Sequence, residues 1–186
     1  YIIATAGQLA YAVNRINTGT DKSKTFELAS DIDWNYQEWT PIGLNDTNNF
    51  NGTFNGAGFK IKNINLTRDF TYTAIFGHLN GAKVRNLGVE DMHILKSTGG
   101  GNVGGMMGRG AATFENCYIK DIEIVSTITT YITIGMFVST VRTASSFTNC
   151  YVYNGSASAQ NGSTIGGLSG GIENPQRSVL NKWCVS

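Results

Sequence analysis

Residues 82–89 read AKVRNLGV and residues 113–120 read TFENCYIK, with Asn86 and Asn116 thirty positions apart. Each stretch has an apolar residue two positions before its asparagine and mostly apolar residues after it. Two further stretches share the pattern, FKIKNINL around Asn63 and SFTNCYVY around Asn149. VLNKWCV around Asn181 is a degenerate fifth copy. The chain therefore contains an internal repeat of about thirty residues.

A second short motif recurs between these copies. It reads AIFG, GMMG, GMFV and GLSG at residues 74–77, 105–108, 135–138 and 167–170. Three copies close on a glycine that we expect to be structural: Gly77, Gly108 and Gly170. The stretch GGGNVGGMMGRG (99–110) contains one copy. It lacks the Gly-Lys-Ser/Thr of a phosphate loop and precedes β-like residues, so it predicts a solenoid corner.

A thirty-residue repeat of short strands and turns cannot bury its own apolar face, so neighbouring repeats must stack. Parallel strands about 4.8 Å apart place equivalent residues above one another. Arg85 then faces Glu115, Glu90 faces Lys120, and the asparagines form an amide ladder. The predicted inward columns are apolar: Ile61, Val84, Phe114 and Phe147 in one, and Val89, Ile119 and Val152 in the other.

The N-terminal part has a helical pattern. Thr5 and Gln8 have the spacing of a capping box, and Gly19 is suited to end the helix. One face is apolar through Leu9, Val13 and Ile16. We expect a single domain over residues 1–186, with a helical cap at 1–23 and five to six coils at 24–186. The predicted fold class is an all-β solenoid of parallel strands with a short N-terminal capping helix.

Composition excludes several classes of protein. Only 15% of residues are charged and the net charge is +1, so we expect no nucleic-acid partner. No apolar run reaches the length of a membrane-spanning helix, so we expect no membrane insertion. Cys117, Cys150 and Cys184 show no CxxC spacing, which favours buried thiols over a disulfide. We expect no bound metal, cofactor or catalytic residue.

Two groups of side chains are candidates for a site. Asp91 and Asp121 each follow a ladder asparagine by five positions, in a predicted column with Arg68 and Asn154. Stacked on adjacent coils, these two carboxylates suit glycoside hydrolysis or calcium binding, and a solvated turn is the simpler reading. Trp34, Tyr36 and Trp39 form an aromatic cluster that either stacks on a sugar or packs over the helix–solenoid junction.

The two histidines give no signal of a nucleophile with its base. His78 lies in a turn-like stretch, and His93 is predicted to point outward above Glu123. We expect both to be surface residues.

Several stretches in order resemble bacterial surface proteins that carry the GLUG motif. They are QLAYAVNRIN (8–17), FELASDIDW (26–34), WTPIG (39–43), FNGTFNGAGFKIKNINL (50–66) and IFGHLNGAKVRNLGV (75–89), followed by VGGMMG (103–108) and IGGLSG (165–170). The resemblance implies a right-handed β-helix from a secreted or cell-surface protein, such as an adhesin or the non-catalytic region of some immunoglobulin A proteases. Val138 departs from the closing glycine, and Asn55 replaces an acidic residue. The motif is architectural and implies no catalytic residue.

These observations predict a non-enzymatic, extracellular β-helix module that acts in adhesion or as a stiff display or spacer domain. Its expected partner is a host or matrix glycan or protein. One alternative is a polysaccharide-active enzyme with its site on one face of the helix. Another is a self-assembling structural module, in which the C-terminal coil LNKWCVS (180–186) stacks end to end on another chain.

Overall fold

The computed structural model describes residues 1–160 and 163–173 of the chain. Within that part it consists of one short helix and seventeen strands, arranged as a parallel β-solenoid of about five turns. The predicted all-β solenoid with a short helix is confirmed. Cys184, the fifth repeat at Asn181 and the C-terminal coil at 180–186 lie outside the described residues.

The described part of the chain begins with one strand and the helix and continues with sixteen strands. The helix is α1 (Ala6–Asn17). The strands are β1 (Ile2–Ile3), β2 (Thr25–Leu28), β3 (Ile32–Asp33), β4 (Thr53–Asn55), β5 (Lys60–Leu66), β6 (Tyr72–Thr73), β7 (Phe76–Arg85), β8 (Gly88–Lys96), β9 (Gly101–Gly104), β10 (Met107–Glu115), β11 (Tyr118–Ser126), β12 (Ile132–Gly135), β13 (Val138–Val141), β14 (Ser146–Thr148), β15 (Tyr151–Ala159), β16 (Thr164–Gly166) and β17 (Ser169–Ile172).

The strands form three parallel sheets, named A, B and C here. Sheet A has the order β1-β2-β4-β7-β10-β13-β17, and β14 also pairs with β10. Sheet B has the order β3-β5-β8-β11-β15, and sheet C has the order β6-β9-β12-β16. A regular coil visits the three sheets in turn, as β7, β8 and β9 do. The inward side chains of all three sheets meet in one continuous apolar core.

Helix α1 covers the apolar end of the first coils. Its N-cap Thr5 accepts a hydrogen bond from the Gln8 backbone N–H at 3.2 Å, and the Gln8 side chain accepts one from the Ala4 N–H at 2.7 Å. The Thr5 half of the predicted capping box is therefore present, whereas Gln8 binds the N–H of the residue before the cap. The apolar face of the helix is buried, as predicted, through Leu9, Val13 and Ile16. Residues 2–3 precede the helix as β1, which pairs with β2 at the edge of sheet A.

Equivalent residues stack where the repeats are regular. Arg85 lies opposite Glu115 in sheet A, and Glu90 lies opposite Lys120 in sheet B, as predicted. Two inward columns continue through the core, Phe54, Val84, Phe114 and Phe147 in sheet A and Ile61, Val89, Ile119 and Val152 in sheet B. The packing of each coil on the next thus follows the repeat.

An amide ladder runs along the corner between sheets A and B. Asn149 donates to Asn116 and Asn116 donates to Asn86, each at 3.0 Å between Nδ2 and Oδ1. Asn86 donates to Asn55 at 3.2 Å, and Asn55 donates to Glu27 at 2.7 Å. Each amide links its coil to the coil before it, so the predicted ladder forms over these coils.

The predicted place of Asn63 in this ladder is wrong, because Asn55 occupies it. The chain takes five residues from Asn55 to Lys60, whereas the next coil takes three from Arg85 to Gly88. The NGAG turn contains the two extra residues, which shift everything after it. Asn63 therefore lies at the next corner, within sheet B.

The same shift moves Ile61 out of its predicted column. Ile61 lies opposite Val89, and Phe54 takes the place opposite Val84. Both Ile61 and Phe54 are fully buried, so an apolar pattern alone could not distinguish the two registers.

The second motif forms the corner between sheets C and A. Register places Gly108 opposite Gly77 and Ser139, and Ser139 opposite Gly170, so this column repeats every 31 residues. The predicted replacement of the closing glycine by Val138 is therefore wrong, and Ser139 is the residue that replaces it. A Cβ on Gly108 would lie 2.9 Å from the Gly77 carbonyl oxygen, which explains the need for glycine there. The glycine-rich stretch continues as β10, as expected of a corner.

Candidate functional site

The structure divides the predicted aromatic cluster into two parts. Trp39 is fully buried and donates its indole N–H to the Ile75 carbonyl oxygen at 3.1 Å. Trp34 packs edge-on against Trp39, with 4.8 Å between ring centroids. Tyr36 is 47% exposed and lies apart from the tryptophans, within contact of Asp91 and His93. The three rings therefore do not form one platform.

Trp34 and Trp39 form one wall of a cleft of about 380 Å³. Helix α1 and its C-cap supply the opposite wall, through Val13 and Asn14 in the helix and Thr18 at the cap. The described residues that line the cleft include no charged side chain. The indole N–H of Trp34 is buried and has no hydrogen-bond partner among the described residues. This cleft, referred to below as the tryptophan cleft, is apolar with a polar rim.

The two walls of the tryptophan cleft are held together by Asn17 at the end of α1. Its side chain donates to the Pro41 carbonyl oxygen at 2.9 Å and accepts from the Gly43 N–H at 2.8 Å. These bonds tie the helix to the WTPIG segment that contains Trp39. The shape of the cleft is therefore set before any ligand arrives.

A second candidate site lies at the corner within sheet B. Four residues with left-handed backbone conformation stack there on successive coils, Asn63, Asp91, Asp121 and Asn154. Asp91 and Asp121 are neighbours, as predicted. Arg68, predicted for this column, is not part of it, because the extra residues of the NGAG turn bring Asn63 to that position instead.

Donors surround Asp91 at this corner. The Tyr36 hydroxyl donates to one carboxylate oxygen, and His93 Nε2 lies 3.2 Å from the other. His93 Nδ1 lies 3.4 Å from Glu123 Oε2, so the imidazole bridges two carboxylates on adjacent coils. The hydrogen bond to Asp91 raises the pKa of Tyr36. These five residues, Tyr36, Asp91, His93, Asp121 and Glu123, are referred to below as the acidic corner.

The prediction that His78 is a surface residue is wrong. Its side chain is 3% exposed, because the loop over residues 43–49 folds onto the outer face of sheet A. His78 Nδ1 lies 3.2 Å from the Asn45 carbonyl oxygen, and its ring stacks on Tyr72 with 5.2 Å between centroids. Burial lowers the pKa of His78. The imidazole is therefore neutral at pH 7 and serves as packing for the loop.

Charged residues that the sequence analysis did not single out complete this region. Arg109 donates to the Tyr72 hydroxyl at 3.0 Å and to Glu173 at 2.6 Å, and Arg142 donates to Glu173 at 3.0 Å. Burial opposes ionisation of Glu173, but the two guanidinium groups outweigh it and lower its pKa. The signal that could have found Arg109 is the repeat, since it stacks on His78. The ion pairs of Arg109 and Arg142 with Glu173 thus link residues on different coils.

Cys117 and Cys150 are buried thiols on adjacent coils, as predicted. Hydrogen bonding with Cys150 and burial raise the pKa of the Cys117 thiol, so it stays protonated at neutral pH. Among the described residues, no cluster of three or more histidine, cysteine or acidic side chains is arranged to hold a metal ion. The same part of the chain contains no helix with the length and apolar character needed to cross a membrane.

Comparison with known proteins finds one similar sequence and one similar solved structure. No protein-family model matches it. It is 32% identical over 129 residues to a protein of Evansella cellulosilytica named "Putative Gly-rich membrane protein". That match covers 64% of this chain and 14% of the relative. A solved structure named as a "putative immunoglobulin A1 protease" from Bacteroides ovatus is 15% identical, with a TM-score of 0.36, and the match covers 93% of this chain and 84% of that one. The chain thus spans only a small part of the length of that relative.

Proposed function

We propose that this chain is a non-catalytic β-solenoid module of a secreted or cell-surface protein, and that it serves in adhesion or as a stiff display or spacer domain. The observation that carries the proposal is the continuous parallel stacking of coils in three sheets around one core. The similarity to 14% of a membrane protein supports it, because a module of a long surface protein would show such a match.

Stacking of this kind keeps outward side chains in register over the length of the module. Tyr118 and Tyr151 stack in parallel, with 5.5 Å between ring centroids and 10° between their planes. Lys60 forms an ion pair with Glu90 on the next coil at 3.0 Å. Columns of aromatic and polar groups at a fixed spacing suit contact with an extended partner such as a glycan or a matrix protein.

The test of adhesion is direct binding by the isolated chain. We expect residues 1–186 to bind at least one glycan on an array or one immobilised matrix glycoprotein, and heat-unfolded protein to lose that binding. Saturable binding that survives high salt supports adhesion, since non-specific ionic contacts are screened under those conditions. Absence of binding to both the glycan array and the matrix glycoproteins contradicts adhesion and leaves the spacer role. Small-angle scattering tests that role. An extended, rigid particle would support a spacer, and a flexible particle would contradict it.

The acidic corner favours one second candidate function, a polysaccharide-active enzyme. Asp91 and Asp121 stack on adjacent coils, and retaining glycosidases require two carboxylates about 5–5.5 Å apart. His93 beside Asp91 adds a group able to move a proton. Release of reducing sugar from a polysaccharide panel, lost in Asp91→Asn and Asp121→Asn, would establish it. No release by the unmodified chain would exclude it for that panel.

A further inference from the structure

We propose that the tryptophan cleft binds one neutral sugar ring of a glycan. The proposal rests on the adhesive function proposed above and names the ligand class and the place where it binds. It concerns the cleft between α1 and the Trp34–Trp39 pair, not the outer faces of the sheets.

The size and rigidity of the cleft suit a small ligand. Its volume of about 380 Å³ lies within the range of small-molecule sites, which runs from about 300 to 1,000 Å³. Trp39 is locked by its bond to Ile75, and Asn17 fixes the helix to the opposite wall. A site whose walls are already ordered loses little conformational freedom on binding.

The chemistry of the lining points to an uncharged ligand with one apolar face. The described lining residues are neutral, so an acidic or basic ligand would lose its hydration without gaining an ionic partner. Trp34 offers an indole surface to the C–H groups of a sugar ring. Asn14, Thr18 and Thr40 on the rim offer amide and hydroxyl groups to the sugar hydroxyls.

A second groove on the other side of α1 serves as a comparison. It is smaller, about 240 Å³, and is bordered by Tyr1 and Tyr11. Its lining includes the ion pair of Arg15 and Asp21, with 2.7 Å between nitrogen and oxygen. Arg15 and Asp21 bond each other there, and Tyr11 lies outside the lining of the tryptophan cleft, so Tyr11 provides a matched control on the same helix.

The experiment is a titration of the full chain with a panel of neutral mono- and oligosaccharides, followed by tryptophan fluorescence and by amide chemical shifts of α1. We expect saturable shifts at Asn14, Thr18 and the Trp34 indole, with affinity in the millimolar range. Trp34→Ala and Ala10→Phe should each weaken binding roughly tenfold, the first by removing the ring and the second by filling the cleft. Tyr11→Ala should bind as the unmodified chain does.

Ala10→Phe tests the cleft in a variant that is expected to fold, because Ala10 is exposed and lines the cleft without belonging to the core. Trp34→Phe keeps an aromatic face of smaller area, so an intermediate affinity is expected. Chemical-shift changes confined to sheet residues, or binding of apolar peptides but of no sugar, would overturn the proposal.

If the chain adheres to glycans and Trp34→Ala adheres equally well, the cleft proposal fails and the adhesive function stands. If sugars bind in the cleft but the chain adheres to no surface, the adhesive function fails and the cleft proposal stands.

Discussion

Two corners of the solenoid have similar backbones and different side-chain chemistry. The amide corner, between sheets A and B, and the acidic corner, within sheet B, both place a residue with φ between 51° and 60° in successive coils. At the amide corner these residues are Asn86, Asn116 and Asn149, and at the acidic corner they are Asn63, Asp91, Asp121 and Asn154. The backbone requirement alone therefore accepts either asparagine or aspartate.

The difference between the corners lies in what each side chain can donate. An amide donates to one neighbour and accepts from the other, so the ladder from Asn149 to Asn55 is continuous. An ionised carboxylate only accepts, so the ladder cannot pass between Asp91 and Asp121. Tyr36 and His93 supply donors to Asp91 instead. A corner made of amides links successive coils by its own hydrogen bonds. A corner that contains carboxylates needs hydrogen-bond donors from residues outside the column.

The largest effect is expected from breaking the amide corner. Asn116→Ala removes two ladder bonds and places alanine at φ 52°, so we expect it to lower the free energy of unfolding by about 2–3 kcal/mol. Asn116→Gly loses the same bonds without the backbone penalty and should cost about half as much. Urea denaturation measures both. Equal losses would show that the left-handed conformation is unimportant.

The next effect concerns Glu90, beside the acidic corner. Burial disfavours its charge, but hydrogen bonds from Tyr118 at 2.8 Å and Lys60 lower its pKa below the usual 4.5. The folded state thus holds its proton less tightly than the unfolded state, so this stabilisation is present above pH 4.5 and is lost as the pH falls through the lowered pKa. We expect Glu90→Gln to be less stable by about 1 kcal/mol at pH 7. The melting temperatures of Glu90→Gln and the unmodified chain should converge as the pH falls through the lowered pKa of Glu90. A difference that stays constant with pH would contradict the assignment.

A smaller change in the free energy of unfolding, of opposite sign, is expected when one carboxylate of the acidic corner is replaced by an amide. Asp121→Asn removes one of two stacked like charges and adds a donor toward Asp91, while its oxygen still accepts from Asn154. We expect a gain of about 0.5 kcal/mol in the free energy of unfolding. The gain should shrink in 1 M salt, which screens the repulsion. A loss of stability at low salt would mean that the carboxylate pair is compensated in the folded state.

The smallest effect is expected at Tyr36, where the acidic corner meets the first coils. Its bond to Asp91 raises the Tyr36 pKa above 10.0, so the stabilisation is present below pH 10 and is lost as the pH rises through the raised value. We expect Tyr36→Phe to destabilise the folded state at pH 7, by less than any of the changes above, because the hydrogen bond to Asp91 is exposed to solvent. In Asp91→Asn the Tyr36 pKa should fall toward 10, as followed by ring NMR signals. An unchanged pKa would show that the two groups do not interact in solution.

The repeat predicted the solenoid and most of its stacked pairs, because a thirty-residue unit of short strands and turns buries its apolar face only when each coil covers the next. It predicted the pairing of Asp91 with Asp121 for the same reason. It misplaced Asn63 because the extra residues of the NGAG turn change the register without changing the apolar pattern. It assigned the wrong residue, Val138, to the glycine corner because adjacent positions there are all small or apolar.

Periodicity in the sequence thus determined the fold class, the capping helix and the order of the columns, since burial of regularly spaced apolar residues depends on local spacing. The burial of His78 under the loop at 43–49 and the tryptophan cleft under α1 came only from the tertiary structure. Both arise where non-repeating segments fold over the solenoid. Contacts of that kind join residues far apart in sequence, and no period relates them.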